Sequence, residues 1–203
     1  MKTRDKIKFK ATELFNNKGF KNVTLREVAK ELNISYGNVT YHFKTKKEVI
    51  LTLYDDMLSE TKGVLKILDV SNLFLGILDA PKLTFKISMK YLFFYVDFVE
   101  IKRSYQEIAK RIEDDNKERK FSYLQILKQL QKEVILRKEL TTKDLDYLMN
   151  LSGAMRTFFF INLDPINFDD IDLESNYVDY VNQLVYPYLT EEGIKKYQDY
   201  NKT

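Results

Sequence analysis

A stretch of polar and aromatic residues from Ser35 to Phe43 has side chains that can read nucleic-acid bases. An asparagine such as Asn38 can pair with adenine through two hydrogen bonds, and a threonine can donate a hydrogen bond or offer its methyl group to thymine. Helical spacing places Val39 and Phe43 one turn apart on an inward face. The residues left facing outward are Tyr36, Gly37, Asn38, Thr40, Tyr41 and His42.

Groups suited to phosphate binding surround this stretch. Thr24 stands at a predicted helix N-terminus, where backbone amides and the helix dipole favour an anion. Ser35 can cap the helix that follows it, and we include it in the candidate DNA-binding set. The remaining donors are Tyr41, His42, Lys44, Lys46 and Lys47.

The charge distribution agrees with an anionic partner for the N-terminal quarter. Residues 1–55 hold twelve Lys and Arg against six Asp and Glu, a net charge of +6, whereas the whole chain has a net charge of +3. The remaining residues therefore carry a net charge of −3. A solvated, lysine-rich helix face would give the same asymmetry, and charge alone leaves both interpretations open.

The elements that position these side chains read as a helix-turn-helix. A first helix buries Ile7, Ala11, Leu14 and Phe15 and stops at Gly19. Thr24 opens a second helix with a capping box, and Asn33 ends it because asparagine tolerates the left-handed conformation. A short third helix then runs through about Phe43. The paired helices joined by a three- to four-residue turn are typical of DNA-binding modules, whose second helix enters the major groove.

Residues 24–50 resemble the TetR family of bacterial transcriptional regulators. They follow a family pattern of T-x-R-x-I/V-A, a short turn, then G-x-L/V-Y-x-H/Y-F-x-x-K. The helix ending at Phe15 is also similar to the first helix of the family, so the resemblance covers about residues 3–60. Asn33 replaces a frequent glycine of the turn, and Thr40 stands where many members have an aromatic residue.

The resemblance implies a role for each matching position. Bases would be contacted by Tyr36, Gly37, Asn38 and Thr40. Phosphates would be contacted by Thr24, Tyr41, His42 and Lys46. The resemblance also implies an all-α fold with an N-terminal three-helix DNA-binding domain (1–60, helix-turn-helix 24–43) joined to a larger helical ligand-binding and dimerisation domain (61–203).

Composition supports an all-α globular chain and excludes much catalytic chemistry. There is no cysteine and a single histidine, which excludes thiolate sites and a histidine-rich metal site within one chain. Only six glycines and three prolines argue against a turn-rich β fold. No catalytic constellation is recognisable, so we expect neither an enzyme nor a cofactor. With no apolar run long enough to span a membrane, we expect a cytoplasmic protein without a membrane partner.

Periodicity beyond the DNA-binding segment predicts further helices at 46–68, 83–101, 103–114, 117–137, 142–163, 174–189 and 191–200. Pro81 and the stretch from Asn162 to Pro165 are predicted breakers, and Asn167 to Asp172 is predicted to form an acidic loop.

Two-fold symmetry would double the base contacts of one short module, which favours a homodimer on a palindromic double-stranded operator. A bundle of the helices at 142–163 and 174–189 from both chains is the expected interface. Ordinary intrachain core is an open alternative for each residue. The candidates are Leu148, Leu151, Met155, Phe158, Val178, Val181, Leu184, Val185 and Tyr188.

Aromatic residues are concentrated in the chain after the DNA-binding segment, where they could line a pocket for an apolar or aromatic small-molecule effector. Aromatic residues at helical spacing also form ordinary hydrophobic core. Asp97 and Arg156 are charges within apolar runs, and burying either one unpaired is costly, so one or both are expected to face the pocket or to pair across a helix contact. The candidate pocket residues are Tyr91, Phe94, Tyr95, Asp97, Phe98, Tyr123, Arg156 and Phe159. We expect a repressor released by its effector; an effector-independent regulator or an activator is the alternative.

Overall fold

The computed structural model describes residues 1–66, 72–163 and 172–202, and every regular element in these ranges is helical. The prediction of an all-α fold is thus confirmed. The chain forms two compact units. The first consists of Met1–Gly63 with Lys86–Ile112, and the second of Val64–Phe85 with Glu113–Thr203. None of the helices in the described ranges has the length and apolar character needed to cross a membrane.

The first unit opens with four helices: α1 (Thr3–Lys18), α2 (Leu25–Glu31), α3 (Tyr36–His42) and α4 (Lys46–Leu65). The stripe predicted for α1 is buried, since none of Ile7, Ala11, Leu14 and Phe15 is more than 4% exposed. The predicted helix at 46–68 is observed to Leu65, and its last two residues lie outside the described part.

The predicted boundaries of the helix-turn-helix are observed. Gly19 follows α1 with a φ of 78°, and Asn33 follows α2 with a φ of 53°. Thr24 and Ser35 cap α2 and α3, because each hydroxyl accepts a hydrogen bond from the amide three residues later, at 3.2 and 3.1 Å. These turn and cap residues fix where α3 begins and which face it exposes.

The helix predicted over 83–101 is wrong as a single element. Instead, α5 (Leu73–Lys90) ends within the predicted range. Two shorter helices, α6 (Phe93–Val96) and α7 (Phe98–Ser104), follow it. The side chain of Asn16 takes over the backbone groups at the break. Its amide nitrogen donates to the Lys90 carbonyl at 2.9 Å, and its oxygen accepts from the Phe93 amide at 2.9 Å.

The second unit is built from the N-terminal part of α5, most of α8 (Gln106–Lys132), and α9 (Thr142–Ile161), α10 (Leu173–Gln183) and α11 (Glu191–Tyr200). The prediction for α11 is confirmed residue by residue. The core of the unit contains Phe74, Leu78, Leu127, Leu130, Ile135, Leu136, Leu145, Leu148, Met149, Val185, Leu189 and Tyr197.

The prediction that Pro81 breaks a helix is wrong. Pro81 lies inside α5. A proline removes one backbone donor and crowds the preceding turn, which weakens the bonding of the carbonyls there. The Leu78 carbonyl in that turn accepts hydrogen bonds from Asn182 Nδ2 at 2.9 Å and from the Tyr200 hydroxyl at 3.2 Å. Tertiary partners therefore support the helix through its proline.

The two helices predicted at 103–114 and 117–137 are replaced by one helix, α8, which ends at Lys132, five residues before the predicted end. The polar residues at the supposed junction support the helix, since Lys117 pairs with Glu113 one turn earlier at 2.9 Å. The helix predicted at 174–189 ends instead at Gln183, and a 3₁₀ turn containing Pro187 follows over Tyr186–Tyr188.

Of the predicted break after α9, from Asn162 to Pro165, the last two residues lie outside the described part of the chain. The helix itself ends at Ile161, two residues before the predicted end. The acidic segment predicted as a loop, Asn167 to Asp172, also lies outside the described part except for its last residue.

Candidate DNA-binding surface and effector cavity

The third helix presents a polar and aromatic face over an apolar anchor. Val39 and Phe43 are both 0% exposed, as the sequence predicts. Tyr36 is 44% and Tyr41 84% exposed, so both rings are accessible to a binding partner. We call the residues of this outer face, Tyr36, Gly37, Asn38, Thr40, Tyr41 and His42, the recognition surface.

Side chains on the recognition surface differ in how free their polar groups are. The Asn38 amide makes no side-chain hydrogen bond within the described residues. The Thr40 hydroxyl donates to carbonyls of its own helix, at 3.2 Å to Tyr36 and 3.1 Å to Gly37. The His42 ring stands edge-on to Tyr41, with 5.2 Å between ring centroids. Asn38 is thus the most available amide for base pairing.

A groove of about 430 Å³ lies beside this surface and is lined by several basic residues. The Arg26 guanidinium stacks over the Tyr36 ring at 5.1 Å from its centroid, which fixes both side chains at the rim. We call this the cation groove. Its lining residues are Lys21, Val23, Thr24, Leu25, Arg26, Tyr36, Lys44, Thr45 and Lys46.

Two of these lining residues, Lys21 and Arg26, are not among the residues predicted from the sequence. Arg26 lies two residues after the predicted cap Thr24, on the exposed side of α2, so its position beside the N-terminus of that helix was available as a signal. Lys21 could not be assigned in this way, because it lies in the turn between α1 and α2.

Lys46 is directed into the protein rather than toward solvent. Its ammonium donates to the carbonyl oxygens of Phe20 and Val23, the latter at 2.7 Å, and lies 4.0 Å from the Phe20 ring centroid. Burial lowers the pKa of Lys46, and the charge of Asp97 opposes this effect. Lys46, which the sequence predicts as a phosphate contact, therefore holds the turn between α1 and α2.

The two neighbouring lysines differ from each other. Lys47 forms an ion pair with Glu107 at 2.7 Å, which raises the pKa of Lys47. Lys44 is exposed, and in the described ranges its ammonium has no carboxylate within ion-pair distance. Of the three predicted lysines, Lys44 is the one whose charge stays available.

Asp97 completes the fixation of the same turn. Its carboxylate accepts a hydrogen bond of 2.6 Å from the Phe20 backbone amide. The Phe20 residue is thus held at its amide by Asp97 and at its carbonyl by Lys46. Asp97, predicted for a ligand pocket, lies in the first unit beside the DNA-binding helices.

The other predicted pocket residues fall in both units. In the first, the Tyr91 hydroxyl donates to Glu60 at 2.8 Å, Phe94 packs on the Tyr54 ring, and Tyr95 shares a 3.0 Å hydrogen bond with Ser88. Phe98 is half-buried there beside Lys102. The second unit contains Tyr123, Arg156 and Phe159.

A cavity in the second unit brings Tyr123 and Arg156 together. Its volume is about 10 Å³, which is room for one water molecule. Phe159 is not among its lining residues and packs on the Tyr177 ring at 5.0 Å. The cavity is lined by Ile77, Tyr123, Leu148, Ser152, Arg156, Val181, Asn182, Leu184 and Val185.

The residues predicted for a dimer interface have different environments in the single chain. Leu148, Val181 and Val185 are buried within their own chain, whereas Phe158 is 64% exposed. The half-buried members are Leu151, Met155, Val178, Leu184 and Tyr188. The same two helices also carry exposed apolar residues that the prediction does not include: Tyr147, Ile161 and Tyr180.

Two family profiles match the chain. Residues 10–53 match bacterial regulatory proteins of the tetR family, and residues 75–197, more than half of the chain, match a TetR profile described as a bacterial transcriptional repressor. A probable HTH-type transcriptional regulator of Bacillus subtilis (strain 168), YttP, is 43% identical over 44 residues. That match spans 22% of this chain and only 21% of the Bacillus protein.

Solved structures share the fold over nearly the whole chain. A TetR-family transcriptional regulator from Marinobacter aquaeolei VT8 superposes with a TM-score of 0.74 and 23% identity, covering 95% of this chain and 93% of that one. The ketosteroid transcriptional regulator KstR2 of Mycobacterium tuberculosis has a TM-score of 0.71 and 18% identity, covering 94% and 96%. From its two profile matches and its fold, the chain belongs to the TetR family of bacterial transcriptional regulators.

Proposed function

We propose that this regulator is a homodimeric repressor that binds a palindromic operator through α3 and leaves it when a small molecule binds the second unit. The observation that carries the proposal is the recognition surface. It exposes Asn38 and two tyrosines above a fully buried anchor, as a helix that enters the major groove requires.

Base and phosphate contacts divide along this face. We assign base contacts to Tyr36, Gly37, Asn38 and Thr40, with Asn38 pairing to adenine. Because its hydroxyl proton is used by its own helix, Thr40 contributes its methyl group or an acceptor oxygen. Phosphate contacts are assigned to Lys44 together with the groove residues Lys21 and Arg26, and to Thr24, Ser35, Tyr41 and His42 at the two ends of the helix pair.

Dimerisation is supported by an apolar face on α9. Tyr147 is 60%, Phe158 64% and Ile161 51% exposed, at spacings that place them on one side of that helix. Tyr180 on α10 is 56% exposed. We propose that these residues, with the half-buried members of the predicted set, pack against a second copy and set the spacing of two recognition helices.

Release from DNA is proposed to follow from effector binding in the second unit. Binding that favours a different separation of the recognition helices lowers operator affinity by the same differential free energy. We assign DNA binding to residues 1–60 and effector binding with dimerisation to 61–203, and we propose that the protein acts in the cytoplasm.

Transcription in vitro tests the repressor assignment. An operator selected with the purified protein is placed across a promoter, and transcripts are measured with and without the protein. We expect transcript levels to fall with the wild type and to be restored when Asn38→Ala replaces it. A rise in transcription would identify an activator instead. Repression unchanged by any small-molecule extract of cells would identify an effector-independent regulator.

A further inference from the structure

Among the described residues of the second unit, Arg156 is a cation whose hydrogen-bond partners carry no charge. Its Nε lies 3.4 Å from Ser152 Oγ, and one of its terminal nitrogens donates to the Tyr177 hydroxyl at 3.2 Å. Both partners are neutral. Among the residues that the structure describes, no carboxylate lies within ion-pair distance of this guanidinium.

Within the described part of the chain, these two contacts use two of the N–H donors of the guanidinium. An arginine carries five N–H donors in a planar fork that matches a carboxylate. Arg156 is half-buried at the lining of the cavity, where a charge interacts more strongly with an opposite charge than it does in bulk water. A bound anion would therefore stabilise the partly buried charge in place of the water that burial removes.

The other polar groups of the cavity add to this preference for an acceptor-rich ligand. The Tyr123 hydroxyl has no hydrogen-bond partner in the described part of the chain. Burial raises the pKa of Tyr123, with the nearby charge of Arg156 acting in the opposite direction, so the phenol stays a neutral donor near pH 7. Asn182 donates its amide to the Leu78 carbonyl and holds the wall in place.

Apolar side chains supply the rest of the lining: Ile77, Leu148, Val181, Leu184 and Val185. A volume of about 10 Å³ admits a water molecule but no organic group, so a ligand must displace part of the wall. Leu184 forms the part of the wall just after the end of α10 and is half-buried.

We infer that the effector of this regulator is an amphipathic carboxylate, whose carboxylate group binds Arg156 and Tyr123 and whose apolar part spreads the side chains between α9 and α10. This inference rests on the proposed function, since it names the chemical class that the effector site takes. The inference specifies the head group of the effector. The length and shape of its apolar part depend on how the wall residues move.

Isothermal titration of the full-length protein tests the head group. The probes are hexanoate, octanoate and benzoate, each compared with its primary amide, which has nearly the same shape but no charge. We expect at least one carboxylate to bind the wild type about tenfold or more tightly than its amide, the ratio typical of a charge-assisted hydrogen-bond pair. Equal binding of acids and amides, or no binding of any of the three acids, would overturn the inference.

Variants assign the effect to the cavity. Arg156→Gln is expected to reduce carboxylate affinity to the level of the amide while leaving amide affinity within about twofold. The control Arg119→Gln removes an exposed arginine of α8, whose guanidinium contacts Asn116, and should leave both affinities unchanged. Tyr123→Phe removes the hydroxyl and keeps the charge of Arg156, and it is expected to weaken carboxylate binding about fivefold. Unchanged carboxylate binding in both cavity variants would contradict the assignment.

Operator binding measured in the same samples separates this inference from the proposed function. If the wild type binds its operator but no carboxylate, the inference fails and the DNA-binding function stands. If carboxylates bind through Arg156 without changing operator affinity, the anion site stands and the release mechanism fails. Loss of operator affinity with octanoate in the wild type, but not in Arg156→Gln, supports both.

Discussion

Neighbouring lysines of the DNA-binding helices differ in what holds their ammonium groups. Lys46 is bound by backbone carbonyls inside the first unit, and Lys47 is paired with Glu107. Lys44 stays exposed. Since a phosphate contact requires an available charge and releases counterions, the three lysines are expected to contribute unequally to DNA affinity.

Substituting Lys44 by Gln is therefore expected to weaken operator binding at low salt. The slope of log affinity against log salt concentration should fall by about 0.9 for each phosphate that the variant no longer neutralises. Lys47→Gln is the matched control, and its effect should be clearly smaller because Glu107 already neutralises that charge. Fluorescence anisotropy across a salt series measures both. An equal change of slope in the two variants would count against this assignment.

Prediction from sequence at this scale succeeded where the information is local. The inward positions of Val39 and Phe43 follow from helical period alone, and both side chains are fully buried. The partners of the lysines are not local. Lys46 meets a carbonyl 26 residues away and Lys47 a carboxylate 60 residues away. No spacing rule connects such residues, so the difference between Lys44 and Lys46 needed the structure.

Among the elements, the turn between α1 and α2 is held by an unusual pair of contacts. The Phe20 amide donates to Asp97, which stands directly before α7, and the Phe20 carbonyl accepts from Lys46 at the start of α4. The aromatic ring of Phe20 also packs edge-on against Phe15, with 6.0 Å between centroids. Removing either hydrogen bond should loosen the position of α2.

Asp97→Ala is expected to lower the free energy of unfolding by about 1–3 kcal/mol, because it leaves the partly buried Phe20 amide without an acceptor. Glu100→Ala on α7 is the control. It removes only a long surface ion pair, 3.7 Å to Lys21, and should cost less than about 1 kcal/mol. Urea unfolding followed by circular dichroism gives both values. A cost of Asp97→Ala no larger than that of the control would refute the role of this hydrogen bond.

Gly63 gives a second prediction for an element, since it lies near the end of α4, where the chain passes from the first unit to the second. A Cβ atom added there meets nothing within 4 Å, so alanine fits. Alanine should stabilise the helical conformation at this position by up to about 1 kcal/mol. We expect Gly63→Ala to leave operator affinity within about twofold and to change the release by octanoate more strongly. Anisotropy titrations compare the two, and an equal reduction of both would contradict the expectation that Gly63 affects release more than DNA binding.

Helix boundaries show where prediction from sequence stops. Caps and glycines marked the ends of α1, α2 and α3 correctly, because their hydrogen bonds are local. Pro81 was misassigned since its helix is supported by Asn182 and Tyr200, more than a hundred residues away. The break before α6 likewise depends on Asn16, a side chain of α1. Tertiary contacts overrode local propensity in both places.

At the scale of the whole molecule, the proposed function requires two copies of the chain. Phe158→Glu places a charge in the proposed dimer face and should convert the protein to a monomer with operator affinity reduced on the order of a hundredfold. Phe121→Glu is the matched control, because Phe121 is equally exposed, at 66%, but lies on α8. Sedimentation velocity measures the mass of each variant. A dimeric Phe158→Glu, or two monomeric variants, would disprove the proposed face.

Selection of the purified protein on random duplex DNA tests the central claim most directly. A dimer with two recognition helices predicts an enriched palindrome, with half-sites about one helical turn or a multiple of a turn apart, bound with a steep salt dependence. The same selection with Asn38→Ala should lose preference at one position of each half-site. Enrichment of no sequence, or of a motif without two-fold symmetry, would contradict a dimeric repressor that reads DNA through α3.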